Sequence, residues 1–91
     1  MSNEPNIIYI GRKNPMNYVL ALVTSFSTPN TDKITLKARG NAISTAIDVA
    51  EIARRKFLKN VEIEDITTGT EELDENGIKR RVSTIEITLK Q

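Results

Sequence analysis

A chain of 91 residues with 27% charged side chains and a net charge of +1 has room for one domain with a modest core. It has no cysteine and no histidine, so disulfides, thiolate metal sites, the commonest general base and the commonest zinc ligand are excluded. No apolar run approaches the roughly 20 residues of a membrane span. The polar start Met1–Asn6, with Glu4, lacks the basic and apolar regions of a signal peptide, so an intracellular, cytoplasmic protein is expected.

Residues 1–5 are expected to be flexible. Ile7, Ile8, Tyr9 and Ile10 form an apolar run stopped by Gly11, the pattern of a strand buried on both faces. After Arg12-Lys13-Asn14, Pro15 suits the first position of a helix and Asn14 its N-cap. Met16, Val19, Leu20, Val23 and Phe26 recur at helical spacing, and the Ser27-Thr28-Pro29-Asn30 cluster ends the helix. Lys33 to Arg39 alternates, with Ile34, Leu36 and Ala38 on one side, and reads as a strand with one buried face that Gly40 breaks. From Asn41 to about Leu58 the period is helical. Ile43, Ala46, Ile47, Ala50 and Ala53 or Arg54 lie on one side, and Arg54, Arg55 and Lys56 sit at the negative end of the helix dipole.

Two long strands follow, Val61 to about Leu73 and Ile78 to Leu89, joined through Asn76-Gly77, the strongest short hairpin signal. Both change apolar phase partway: Val61 and Ile63 are odd but Ile66 is even, and Val82 is even but Ile85, Ile87 and Leu89 are odd. A bulge or strong twist is expected, with a polar hairpin arm over about residues 67–81 that packs on nothing in its own subunit. The order β-α-β-α-β-β predicts one domain over residues 1–91, of α+β class. It is a two-layer sandwich in which a mixed four-stranded sheet carries both helices on one face.

The small net charge hides an uneven distribution. Residues 1–60 hold nine Lys/Arg against four acids, whereas residues 61–91 hold four against eight. In the basic part, the loop Gly11-Arg12-Lys13-Asn14-Pro15 places two cations and free backbone amides just ahead of a helix, an arrangement suited to phosphate. Parallel strands would bring Lys37, Arg39 and the Gly40-Asn41 turn to the same end of the sheet, making a basic stripe. Lys79-Arg80-Arg81 on the arm form a third cationic group, which Glu71, Glu72, Asp74 and Glu75 on the outgoing limb can neutralise. Each of these also reads as ordinary solvated charge. Glu62, Glu64 and Asp65 would need to converge to hold Mg²⁺ as a nuclease does, but Asp65 falls on the other face, and a solvated strand is the better reading. The aromatic residues are Tyr9, Tyr18, Phe26 and Phe57, too few for a base-stacking platform. Tyr18 lies near the first basic loop, or is a helix residue at the core edge. Phe57 is either core or an apolar anchor for another subunit.

The segments Ile10-Gly11-Arg12-Lys13-Asn14-Pro15-Met16-Asn17-Tyr18-Val19, Lys37-Ala38-Arg39-Gly40-Asn41-Ala42-Ile43-Ser44, Arg54-Arg55-Lys56-Phe57-Leu58 and Arg81-Val82-Ser83-Thr84-Ile85-Glu86-Ile87 together resemble the Alba family of archaeal chromatin proteins. The resemblance implies the same fold order and a homodimer. It implies little sequence specificity for double-stranded DNA, binding to RNA as well, and higher assemblies along DNA. It places Arg12, Lys13, Asn17, Tyr18, Arg39 and Asn41 in the nucleic-acid surface of the body, with the arm residues Lys79, Arg80 and Arg81 reaching along the grooves. Phe57 matches a position used between neighbouring dimers. Chromosome organisation in the archaeal nucleoid follows, with no enzyme activity, metal, cofactor or membrane partner. The family's first loop usually offers two lysines, one of them an acetylation target; Arg12 stands in one place here and leaves Lys13 modifiable. Asn41 stands where the second loop usually has another arginine. With the low net charge, these departures imply weaker, more salt-sensitive coating of DNA than the family norm, or a shift toward selected sites or RNA. The alternative is mainly an RNA-binding scaffold subunit, similar to the Alba-related subunits of RNase P and MRP.

Overall fold

The computed structural model describes residues 6–91. The expectation for residues 1–5 lies outside the described residues. The elements run β1 (Asn6–Tyr9), α1 (Pro15–Phe26), β2 (Lys33–Arg39), a 3₁₀ turn (Gly40–Ala42), α2 (Ile43–Ile52), a π turn (Ala53–Phe57), β3 (Glu62–Glu75) and β4 (Ile78–Lys90). The four strands form one sheet in the order β1-β2-β4-β3, with β1 parallel to β2 and the other neighbours antiparallel. Ile34, Leu36, Ile85, Ile87 and Leu89 point to one face of this sheet and pack with Val19, Leu22 and Phe26 of α1 and Ala46, Val49 and Ala50 of α2. The predicted α+β class, with a mixed sheet and both helices on one face, holds. Among the described residues no helix is long and apolar enough to cross a membrane.

Three local readings are corrected by this arrangement. β1 is an edge strand, so only Ile10 of its apolar run is buried, and Tyr9 on the open face is 72% exposed. In α1 the buried stripe is Val19, Leu22 and Phe26, while Leu20 is 56% exposed and Met16 also faces outward. Two stripes of this helix satisfy the 3.6-residue period, and the sheet takes the one containing Leu22. The helical stretch expected to run to Leu58 ends as α-helix at Ile52. The N–H of Leu58 donates to the Ala53 carbonyl at 2.7 Å, which widens the last turn to π geometry.

The phase change in the last two strands resolves differently in each. In β3 the register slips once, between Ile63 opposite Leu89 and Asp65 opposite Thr88, so Glu64 is the extra residue of a bulge. β4 is regular from Leu89 to Ile78, and Val82 simply occupies the face opposite Ile85. Beyond Thr84, the last β4 partner of β2, only β3 and β4 remain paired, and they close at Asn76 (φ 53°) and Gly77 (φ 81°). Two successive positive φ values are those of a type I′ hairpin turn, which is why Asn-Gly is found here.

Candidate nucleic-acid interface

Because β1 and β2 are parallel, the chain leaves both at the same sheet end, and the Ile10 N–H donates to the Lys37 carbonyl at 2.8 Å to hold the two exits together. The loop after β1 leads into α1 and the turn after β2 leads into α2. The second exit is made by Gly40 at φ 57°, a left-handed conformation that favours glycine. A groove of about 680 Å³ opens between them. Arg12, Lys13, Arg39, Asn41 and Arg80 line it, over a floor that includes Ile10 and Gly11. Five of the residues singled out in the sequence are thus brought together, from two loops and the arm. Asn17 is exposed on the first turn of α1 but outside the groove, and Lys79 and Arg81 lie exposed on the arm. Ala42, Thr45 and Val82 also line the groove and were not anticipated. Val82's even phase was the available signal, since it marked a β4 residue turned away from the core.

The first loop is not held by its own turn alone. The N–H groups of Gly11 and Lys13 both donate to the Tyr18 hydroxyl oxygen, at 2.9 and 3.1 Å. Asn14 caps α1, its Oδ1 accepting from the Met16 N–H at 2.9 Å, and Pro15 takes the first helical position. The amides of Gly11, Lys13 and Met16 are therefore satisfied within the protein and are not free for phosphate as expected. What the loop offers is the pair of side chains Arg12 and Lys13, on a backbone fixed at three points. Tyr18 anchors this loop and does not itself line the groove.

Charge across the surface is unevenly spent. Arg39 forms an ion pair with Glu71 of the arm, so the arm does touch its own body, contrary to expectation. On the arm, Lys79 and Glu72 stand 3.9 Å apart and Arg80 and Glu75 3.7 Å apart, both diagonal to the ladder. Among the described residues, Arg12, Lys13 and Arg81 have no ion pair. Glu64, from the acidic cluster, is turned to Lys33 at 3.0 Å and Lys90 at 3.9 Å. Among the described residues no three such side chains are grouped to hold a metal ion. Phe57, in the π turn, is 48% exposed and separate from the groove.

A family profile described as Alba matches residues 6–70. The DNA/RNA-binding protein Alba of Methanocella arvoryzae is 53% identical over 89 residues, covering 97% of this chain and 92% of that protein. The protein of the same name from Picrophilus torridus is 48% identical over 86 residues, covering 94% and 96%. The solved structure of Alba from Thermoplasma volcanium superimposes with a TM-score of 0.88 at 51% identity, covering 94% of this chain and all of that one. With a family profile over most of the chain, relatives about half identical along nearly its whole length and a solved structure that superimposes on it, the chain belongs to the Alba family.

Proposed function

We propose that this protein binds nucleic acid as a homodimer, coating double-stranded DNA with little sequence specificity, organising chromatin, and binding RNA as well. The observation that carries the reading is the groove in which Arg12 and Lys13, without ion pairs among the described residues, face Arg39, Asn41 and Arg80. Cations on a fixed backbone contact phosphates without reading bases, which gives affinity without sequence selection. The names of the relatives, DNA/RNA-binding proteins, support the same class of ligand. Asn17, Lys79 and Arg81 extend the contact surface on either side of the groove. Leu20 and Ile47, apolar and exposed on the two helices, support burial against a second copy, and Phe57 supports contact between dimers.

The partial self-neutralisation of Arg39, Lys79 and Arg80 argues for weaker binding than an evenly basic surface would give. Neutralising fewer phosphates makes the salt dependence shallower, by about 0.9 in slope for each phosphate left without a cation. The expectation of more salt-sensitive coating is corrected by this arithmetic: binding disappears at lower salt because it starts weaker, while its slope is shallower. Acetylation of Lys13 would remove one of the two loop charges. A salt titration of binding to duplex DNA and to RNA, side by side, tests the reading. Affinity for both should fall linearly on logarithmic axes. Replacing Arg12 and Lys13 together with alanine should remove most of the binding and flatten the slope. Unchanged binding in that double variant would refute the assignment of the loop, and a large preference for RNA at matched salt would favour a scaffold role.

A further inference from the structure

Arg39 occupies a singular place: among the described residues it alone lines both the main groove and a smaller one of about 210 Å³ on the other side. The smaller groove contains Lys37, Glu71, Thr84 and Glu86. The Arg39 guanidinium is engaged on that side, by the carboxylate of Glu71, which lies 32 residues away in sequence on the outgoing limb of the arm. The pair is open to solvent, with side chains 60% and 47% exposed, so an incoming anion can reach it. Glu71 is also placed in the part of β3 that has only β4 for a neighbour, opposite Val82.

We infer that Glu71 is an intramolecular competitor for the nucleic-acid phosphate, holding Arg39 toward the smaller groove until a phosphate in the main groove displaces it. The inference rests on the proposed function of the main groove. A carboxylate and a phosphate both take the planar fork of a guanidinium, so the exchange leaves Arg39 satisfied in either state. Exposed ion pairs are weak, which makes the exchange readily reversible. The exchange also frees the arm from its tie to the second loop at the moment of binding. Glu71 thus sets affinity without touching the ligand, and the second loop reports its charge only when a competing anion is present.

A double-mutant cycle on the full chain tests this, with duplex DNA at fixed low salt as the probe. Glu71→Gln should tighten binding about two- to five-fold, the upper factor corresponding to the ~1 kcal/mol limit for an exposed pair. Asp74→Asn removes the same charge from the arm at a residue without an ion pair among the described residues, and should change affinity less. In an Arg39→Gln background, Glu71→Gln should gain no more than Asp74→Asn does. Equal gains from Glu71→Gln and Asp74→Asn, or a gain from Glu71→Gln undiminished without Arg39, would overturn the competitor role while leaving the function intact. Failure of the unaltered protein to bind duplex at all would overturn both.

Discussion

The phenolic oxygen of Tyr18 stands 2.9 Å from the amide nitrogen of Gly11, and a β-carbon built on Gly11 would meet that oxygen at 3.3 Å. A helix residue and a loop residue therefore fit each other both as hydrogen-bond partners and as shapes. Because the same oxygen also accepts from the Lys13 N–H at 3.1 Å, it brackets Arg12 between two fixed amides.

Removing the hydroxyl should loosen this bracket without altering charge. Tyr18→Phe leaves two donors without their partner and should cost about 1 kcal/mol in denaturant unfolding, since a typical net hydrogen bond is worth roughly that. Nucleic-acid affinity should fall several-fold while the salt slope stays near its original value, because every cation that neutralises a phosphate is kept. A variant with an altered slope would show that the loosened loop no longer delivers Arg12 or Lys13 to a phosphate.

Filling the glycine should have the complementary effect. Gly11→Ala requires the Tyr18 oxygen to move by a few tenths of an ångström, for a destabilisation of about 1 kcal/mol. In the Tyr18→Phe background the space is already vacated, so the same substitution should cost much less. Additive costs in that cycle would count against the fit.

Glu51 offers a pH test remote from the interface. Burial raises its pKa, but the hydrogen bonds and charges of Arg55 and Arg54 outweigh this and hold it below its ordinary value of 4.5. Its oxygens lie 2.7 Å from Arg54 Nη1 and 3.2 Å from Arg55 Nε. A lowered folded pKa favours folding above the unfolded pKa, and that contribution is lost as pH falls through the folded value. The stability difference between the unaltered protein and Glu51→Gln should be a few tenths of a kcal/mol near neutrality, roughly 0.3–0.5 per helix pair, and should be lost as the pH falls through the lowered folded pKa. A difference that grows with acid would reverse the sign and refute the assignment.

Leucines of the two faces should separate cleanly. Leu36 is fully buried beneath the helices, so Leu36→Ala should cost about 2–5 kcal/mol. Leu20→Ala, on the outward stripe of α1, should stay within about 0.5 kcal/mol in dilute solution. At higher concentration, its effect on the proposed dimer would appear as a shift in mass by light scattering.

Local sequence carried much of the architecture. Asn14-Pro15 and Asn76-Gly77 mark a helix start and a hairpin turn because each acts through backbone chemistry that needs no distant partner. Leu20 and Leu22 could not be ranked that way, since both lie on helical stripes and only the sheet chooses between them. The depth of β1 was misread for the same reason: an apolar run is alike at the edge and the centre of a sheet. In the candidate groove, the convergence of Arg12, Lys13, Arg39 and Asn41 was legible from the parallel strands that bring their loops together. The Tyr18 anchor and the Glu71 ion pair join residues 7 and 32 apart in sequence through side-chain geometry, which composition and period do not encode.

The bulge at Glu64 shows how body and arm coexist in one pair of strands. Ile63 and Ile66 are three apart, and in an unbroken strand they would face opposite ways. With Glu64 inserted, they lie opposite Leu89 and Ile87, on the same side of the sheet. The body takes its alignment from the packed core, and the arm takes its own from the Asn76-Gly77 turn. Glu64 is the half-step that reconciles these two clocks, letting the turn and the core each keep its own time.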